Sequence, residues 1–412
     1  MFNFIKKLFY KSYFYPFFAN RIKVSNRINR LKKFADVFAG APSINRQLYF
    51  ARKVYELKNQ LKSEIVIGHA VQSLFASIPL SKAINAKHIA DVIEIPSFKD
   101  RAFPTPWHQT TLELTDSAIK QYLRDTNHIF TVSESLKRVL KDINNNVNVF
   151  PNYPLEIKFN ENNKIRSNCN ISDNDILLVS ISTITENLEV IINSLKILPE
   201  NFHLAIVGNI KGPEYKSFIN DLIKKLNIEK RVHFFNPVRY DELFSYLSGA
   251  DIGLIHLNNQ IKNHKVSLPN RIFDLMHSNL PIISVDIDDI SKIIKDNEIG
   301  FVISDKEKKM PEIWAKNIKN LAFYKKEKFK YNLKKINKNF LFDVLSDKFM
   351  TTFENCKTVT FVGFTDLAIN NRTMRFVKLL NSKNILVNLV FCSSRKKHKD
   401  TKLIKYFQIF PI

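Results

Sequence analysis

Twice along its length the chain sets short runs of β-branched and aromatic residues against stretches of helical spacing, and that alternation leaves few folds open to it. In the first half the runs are ADVFAG, EIVIGH, KHIADVIE, HIFTVS and VNVFPNYP, with helical patterns over 46–62, 72–84 and SESLKRVLKDI. In the second half they are ILLVSIS, HLAIVGN, RVHFF, DIGLIHL, PIISVD and GFVIS, with EVIINSLKIL, 214–226, DELFSYLSGA and NRIFDLMHS between them. Strands interleaved with helices close as parallel βαβ units with right-handed crossovers. The series predicts an α/β chain of two doubly wound lobes, over 34–154 and 172–350. The polar stretch 155–173 reads as the linker between them. With 412 residues there is chain enough for two cores, and a ligand is expected in the cleft facing the carboxyl ends of the strands.

Two end segments need separate readings. Residues 1–33 contain no acid and mix basic residues with Phe2, Phe4, Phe9, Tyr10, Tyr13, Phe14, Phe17 and Phe18. That composition suits a helix lying in a membrane interface, with a helix packed on its own protein and broken at Pro16 as the alternative. Residues 358–412 open with TVTFVG, a helical NNRTMRFVKLLNS and ILVNLVFCSS, like a fresh βαβ unit. A lone unit of this kind cannot bury both faces of its strands. Either it supplies strands missing from the first lobe, as in a circular permutation, or it begins a second copy in a tandem. Its opening favours the second copy.

Several classes fall away. Cys169, Cys356 and Cys392 are far apart and show no ligand spacing, so neither a disulfide framework nor a zinc site is expected. No resident cofactor or metal is expected, and a reducing, cytoplasmic setting fits. No run of 18 apolar residues and no signal with a small-residue cleavage site is present, which points to neither a spanning nor a secreted chain. The net charge of +24 suits anionic partners such as a membrane surface, nucleic acid or phosphorylated substrates. Asn, Ile, Lys and Phe are heavy throughout, as AT-biased coding produces, so solvated surface accounts for part of that charge. With eight glycines the chain has no GxxxxGK[ST] or GxGxxG, and no nucleic-acid module surrounds its basic residues.

The segment richest in chemistry is SLPNRIFDLMHSNLPIISVD, residues 267–286. Pro269 precedes a helix whose first turn holds Asn270 and Arg271, so free N–H groups and a guanidinium meet at one point, as a diphosphate requires. One turn on, Asp274 offers a carboxylate that can accept two hydroxyl hydrogen bonds from a ribose. The acidic run Asp286–Ile287–Asp288–Asp289 follows a strand and reads as a surface turn.

Here the chain resembles the family 4 glycosyltransferases, retaining GT-B enzymes that build bacterial surface polysaccharides. The resemblance runs over about residues 60–340 and rests on Leu268 to Asp274, Leu280–Pro281–Ile282–Ile283 and Ile299–Gly300–Phe301. Val207–Gly208–Asn209, Arg231–Val232–His233–Phe234 and Ala250–Asp251–Ile252–Gly253 match upstream, in order. More loosely, Asp91–Val92–Ile93–Glu94 looks like a family strand end, as do Thr131–Val132–Ser133–Glu134 and Val149 to Pro154. EIVIGHAVQSL resembles the stretch that carries a reaction-centre histidine, here His69. The resemblance implies two Rossmann-like lobes and a transferase that takes a nucleotide sugar as co-substrate and a lipid-linked or glycan acceptor. It implies donor binding by Gly208, Asn209, Ser267, Asn270, Arg271 and Asp274, an acceptor side of His69, Asp91 and Glu94, and catalysis by His69, Arg271 and Asp274. Two departures stand out. Position 266 is Val where many members carry a second acid, and Thr183 to Asn187 holds Glu186 where relatives carry a basic residue near the leaving diphosphate. A carboxylate there repels a diphosphate, which motivates a second reading, a silent homologue that binds a nucleotide sugar or partner without turnover.

Overall fold

The computed structural model describes residues 44–95, 116–156, 158–181, 183–184, 186–258, 261–367, 370–393 and 398–409. The basic segment 1–33 and the ADVFAG run lie outside them. Seven strands come first: β1 Ile65–His69, β2 Lys87–Val92, β3 His128–Thr131, β4 Val147–Val149, β5 Ile176–Ile181, β6 Phe202–Val207 and β7 Val232–Phe235. Six follow: β8 Ile252–Ile255, β9 Ile282–Val285, β10 Gly300–Ile303, β11 Thr358–Gly363, β12 Leu386–Cys392 and β13 Ile404–Ile409. All pairings between them are parallel, and they form two sheets, β13-β12-β11-β1-β2-β3-β4 and β10-β9-β8-β5-β6-β7. The chain divides into two compact units accordingly, residues 1–132, 136–150 and 346–412 in one, 133–135 and 151–345 in the other.

The tail corrects the favoured reading of it. β11 pairs with β1 from Ile65↔Val359 to His69↔Gly363, and β12 and β13 extend the same sheet. Residues 358–409 therefore complete the first unit and do not stand apart as a second copy. The physical reason is the edge of β1, whose five residues are all buried and whose backbone would otherwise lack partners on one side. Counted from β11, the first sheet reads 3-2-1-4-5-6-7, and counted from β5 the second reads 3-2-1-4-5-6. That is the doubly wound order, with its switch point between strands 1 and 4. The first unit is thus a permuted version of the second's topology. Its chain enters at strand 4 and returns at residue 358 with strands 1 to 3.

Five buried phenylalanines join the two passes. Phe130 and Phe150, from the first, have ring centroids 4.7 Å apart, and Phe349, from the return, stacks on Phe376 at 4.6 Å and 8°. Phe353 lies 4.6 Å from Phe349 and 6.4 Å from Phe130. Each such pair adds about 0.5–1.5 kcal/mol beyond the area it buries. At the switch point the packing is close, since a Cβ on Gly68 would sit 2.4 Å from Ser77 Oγ and one on Gly363 2.4 Å from a Leu367 methyl.

Two further expectations change. The expected linker contains the helix Lys164–Cys169, which buries Ile165, Arg166 and Cys169 in the second unit behind an otherwise polar sequence. The run 286–289 is not a surface turn, because Asp288 and Asp289 open the helix Asp288–Asp296, where carboxylates meet the positive end of the helix dipole. Because three of seven strands come from the tail, removing residues 358–412 is expected to abolish the thermal transition of the first unit. Limited proteolysis should then degrade residues 44–150 while a fragment spanning 161–335 survives.

Candidate functional site

In the second unit the loops after β5, β6 and β8 are tied to one another at the carboxyl end of the sheet. Ile184 bridges to Ile210, its N–H donating to Asn209 O at 2.9 Å, and Asn258 Nδ2 donates to Glu186 Oε2 at 2.9 Å. Gly208 has φ 142° and donates its N–H to Phe235 O, while Asn209 is exposed. The helix Asn270–His277 begins after Pro269 with Asn270 exposed, Arg271 half-buried and Asp274 buried. Ser267 donates its hydroxyl to His264 O at 3.2 Å. Burial lowers the Arg271 guanidinium to about 10 against the opposing charge of Asp274.

Two histidines unremarked in the sequence belong to this place. His256, directly after β8, shares a 2.8 Å hydrogen bond with Ser180 Oγ, and burial, aided by Arg271, lowers it to about 4. It is neutral at pH 7. His264 is also lowered by burial, with Glu186 raising it and Arg271 lowering it further. Glu186 and Arg271 thus act with opposite sign on the same ring. A cavity of about 290 Å³ opens beside them, lined by Asn187, Glu189, His256, Lys308, Lys309 and Trp314.

Other matched residues prove to be scaffold. Arg231 is buried and donates to the carbonyls of Phe202, Leu195, Leu198 and Pro199, closing the end of the helix Leu188–Ile197. Asp251 accepts from Arg166 Nη1 and from the N–H of Leu177, pinning the start of β5, with Lys326 as a further partner.

In the first unit, His69 ends β1 and Asp91 lies one residue before the end of β2. His69 Nδ1 and Asp91 Oδ2 are 2.8 Å apart, and both side chains are buried. Arg372, in the first turn of the helix Asn371–Ser382, donates through Nε to both Asp91 oxygens at 3.0 Å and through Nη2 to Oδ1 at 2.7 Å. Its Nη1 donates to Phe150 O at 2.6 Å, and Asn370 Nδ2 lies 3.2 Å from His69 Nε2. Burial alone would raise Asp91, but Arg372 and His69 outweigh it and hold the carboxyl at about 2. Glu94 lies two residues past β2, half-buried. Sequence reasoning named His69 and Asp91 separately as acceptor-side candidates and missed Asn370 and Arg372. The signal was present, since Asn371–Arg372 opens a helix as Asn270–Arg271 does.

A folded-state value below the unfolded 3.8 means that Asp91 stabilises above about pH 4, and this contribution fades as pH falls from about 4 to about 2. The full effect is about 2 kcal/mol. Asp91→Asn should cost about 3–5 kcal/mol at pH 6 by stranding Arg372. Urea unfolding across the acid range should show the wild-type advantage shrinking below pH 4, and parallel profiles would remove this role from Asp91.

Residues 161–335 match the model of the family described as glycosyl transferases group 1. No curated protein matches the chain. Among solved structures it is similar to sucrose-phosphate synthase from Thermosynechococcus elongatus, at 12% identity and TM-score 0.61 over 74% of this chain and 76% of that one. It is similar to Anabaena HepE in complex with UDP-glucose, at 15% identity and TM-score 0.58 over 74% and 81%. A third is the E. coli trehalose-6-phosphate protein bound with UDP-2-fluoro glucose, at 10% identity and TM-score 0.57 over 76% and 78%. At these identities the likeness is one of fold, two Rossmann-like α/β lobes of the GT-B type.

Proposed function

We propose that the chain is a glycosyltransferase of the family 4 kind, moving a hexose-type sugar from a nucleotide sugar to a lipid-linked or polysaccharide acceptor in cell-surface glycan biosynthesis. The observation that carries this reading is the helix start at 267–274, inside the stretch that matches the family model, with Arg271 in its first turn and Asp274 one turn on. Charge developing on the leaving diphosphate is met by the N–H groups of that turn and by Arg271. Asp274 receives the ribose hydroxyls, Ser267 and Asn270 meet phosphate, and Gly208 and Asn209 border the nucleoside. His69, oriented by Asp91, faces the acceptor, with Glu94 beside it. Retention of anomeric configuration and work at the inner face of the cytoplasmic membrane, docked through residues 1–33, belong to the same proposal.

Glu186 supports a second reading, donor binding without turnover, because its carboxylate stands at the loops that would receive the diphosphate. Lys309, which lines the neighbouring cavity, supplies a cation against it. Since two of the structurally similar proteins hold UDP-linked sugars, UDP-glucose is the first donor to try. A donor present at a hundred times its Kd stabilises by about 2.7 kcal/mol, a rise of roughly 5–10 °C in Tm. Arg271→Ala should abolish that rise, and release of UDP by the wild type distinguishes an enzyme from a silent binder. The proposal fails if no nucleotide sugar shifts the transition, and Arg271 leaves the site if its variant shifts as the wild type does.

A further inference from the structure

We propose that Asn370 and Arg372, on the segment that returns to complete the first sheet, are positioning residues that present His69 Nε2 to an acceptor hydroxyl. This rests on the reading of His69 as the acceptor-side group. The Asp91 carboxylate is 1% exposed and only accepts hydrogen bonds, so the proton of the His69 ring sits on Nδ1, 2.8 Å away. Nε2 then carries a lone pair, and the Asn370 amide lies 3.2 Å from it as the donor. That amide has one workable orientation, because its Oδ1 accepts the N–H of Thr373 at 2.9 Å and caps the helix Asn371–Ser382. Arg372 fixes the opposite side. Its Nε and Nη2 grip the carboxylate while Nη1 holds the Phe150 carbonyl, so the plane of the carboxylate, and with it the tilt of the ring, is set by a rigid fork.

The location agrees with the role. His69 ends β1, and the capped helix follows β11, the strand beside it, so the group stands at the switch point where doubly wound sheets receive ligands. The permuted chain order therefore matters to the site as well as to the sheet, since both positioning residues arrive on the returning segment, 301 and 281 positions away from their partners.

Two variants separate positioning from mere packing. Asn370→Ser keeps a capping hydroxyl and removes the donor to Nε2, and Arg372→Lys keeps the charge and removes the fork. In protein labelled with 15N-histidine, wild-type His69 should show the Nδ1–H tautomer. The Nε2 resonance should move in Asn370→Ser while Nδ1–H persists, and the tautomers should mix in Arg372→Lys. Transfer from UDP-glucose should lose on the order of 100-fold in kcat with the donor KM unchanged, and the melting temperature of Asn370→Ser should stay within a few degrees of the wild type. An unchanged ring signature in both variants overturns the proposal, whatever their activity or stability. If the wild type turns over no donor, the transferase reading fails by itself, and the ring resonances still decide whether Asn370 and Arg372 position His69.

Discussion

A buried carboxylate organises the first unit. Taking an ion such as Asp91 out of water costs several kcal/mol, and only a well-formed counterion with additional hydrogen bonds offsets it. Arg372 provides both, but it is carried on the part of the chain that returns after residue 345. The sheet therefore cannot close with its acid satisfied until β11 has docked on β1. The edge-on and tilted phenylalanine contacts give the returning segment its apolar attraction, which is non-directional, whereas the ion pair tolerates one register. Shifting β11 by a residue along β1 would send its side chains to the opposite face and draw the helix of Arg372 away from Asp91.

This arrangement explains what was legible in the sequence. The existence and type of the elements were readable because the periodicities that specify them are local, and EIVIGH, ILLVSIS and TVTFVG each became a strand. The partner of TVTFVG was not readable. The pairing of β11 with β1 joins residues 294 positions apart, Ile65 and Val359, and a second copy would carry the same local pattern. The helix at Lys164–Cys169 was hidden for a related reason, since a buried face of Ile165, Arg166 and Cys169 is lost in an Asn- and Lys-rich stretch until Asp251 is known to receive the arginine.

The site was legible to the extent that its groups sit at recognisable strand ends or helix starts. His69 and Asp91 were picked as candidates at strand ends, and Asn270 through Asp274 at a helix start. Arg231 and Asp251 show the limit of such reading. They recur in the matched pattern, yet one gathers carbonyls at a helix end and the other clamps the amide of Leu177, so each is needed for the lobe to fold. His256 and His264 escaped because neither stands at a matched position, although His264 lies three residues before Ser267. What brings them there is the meeting of three loops.

The two units place a histidine at the same topological position, at the end of strand 4, and surround it differently. In the second, His256 follows β8 against the hydroxyl of Ser180, and burial with the nearby charge of Arg271 keeps it neutral. In the first, His69 ends β1 against a carboxylate. Each unit also opens a helix with Asn-Arg near that strand. Arg372 is committed to Asp91, while Arg271 stands beside Asp274. One topology has thus been given opposite electrostatics. A buried anion in the first unit fixes the tautomer of a ring, and a desolvated cation in the second suits a ligand that brings its own negative charge. An arginine that already holds a carboxylate has little affinity left for phosphate, and a buried histidine near a cation is held neutral. The contrast between the two strand ends follows from the charges that each unit places beside its histidine.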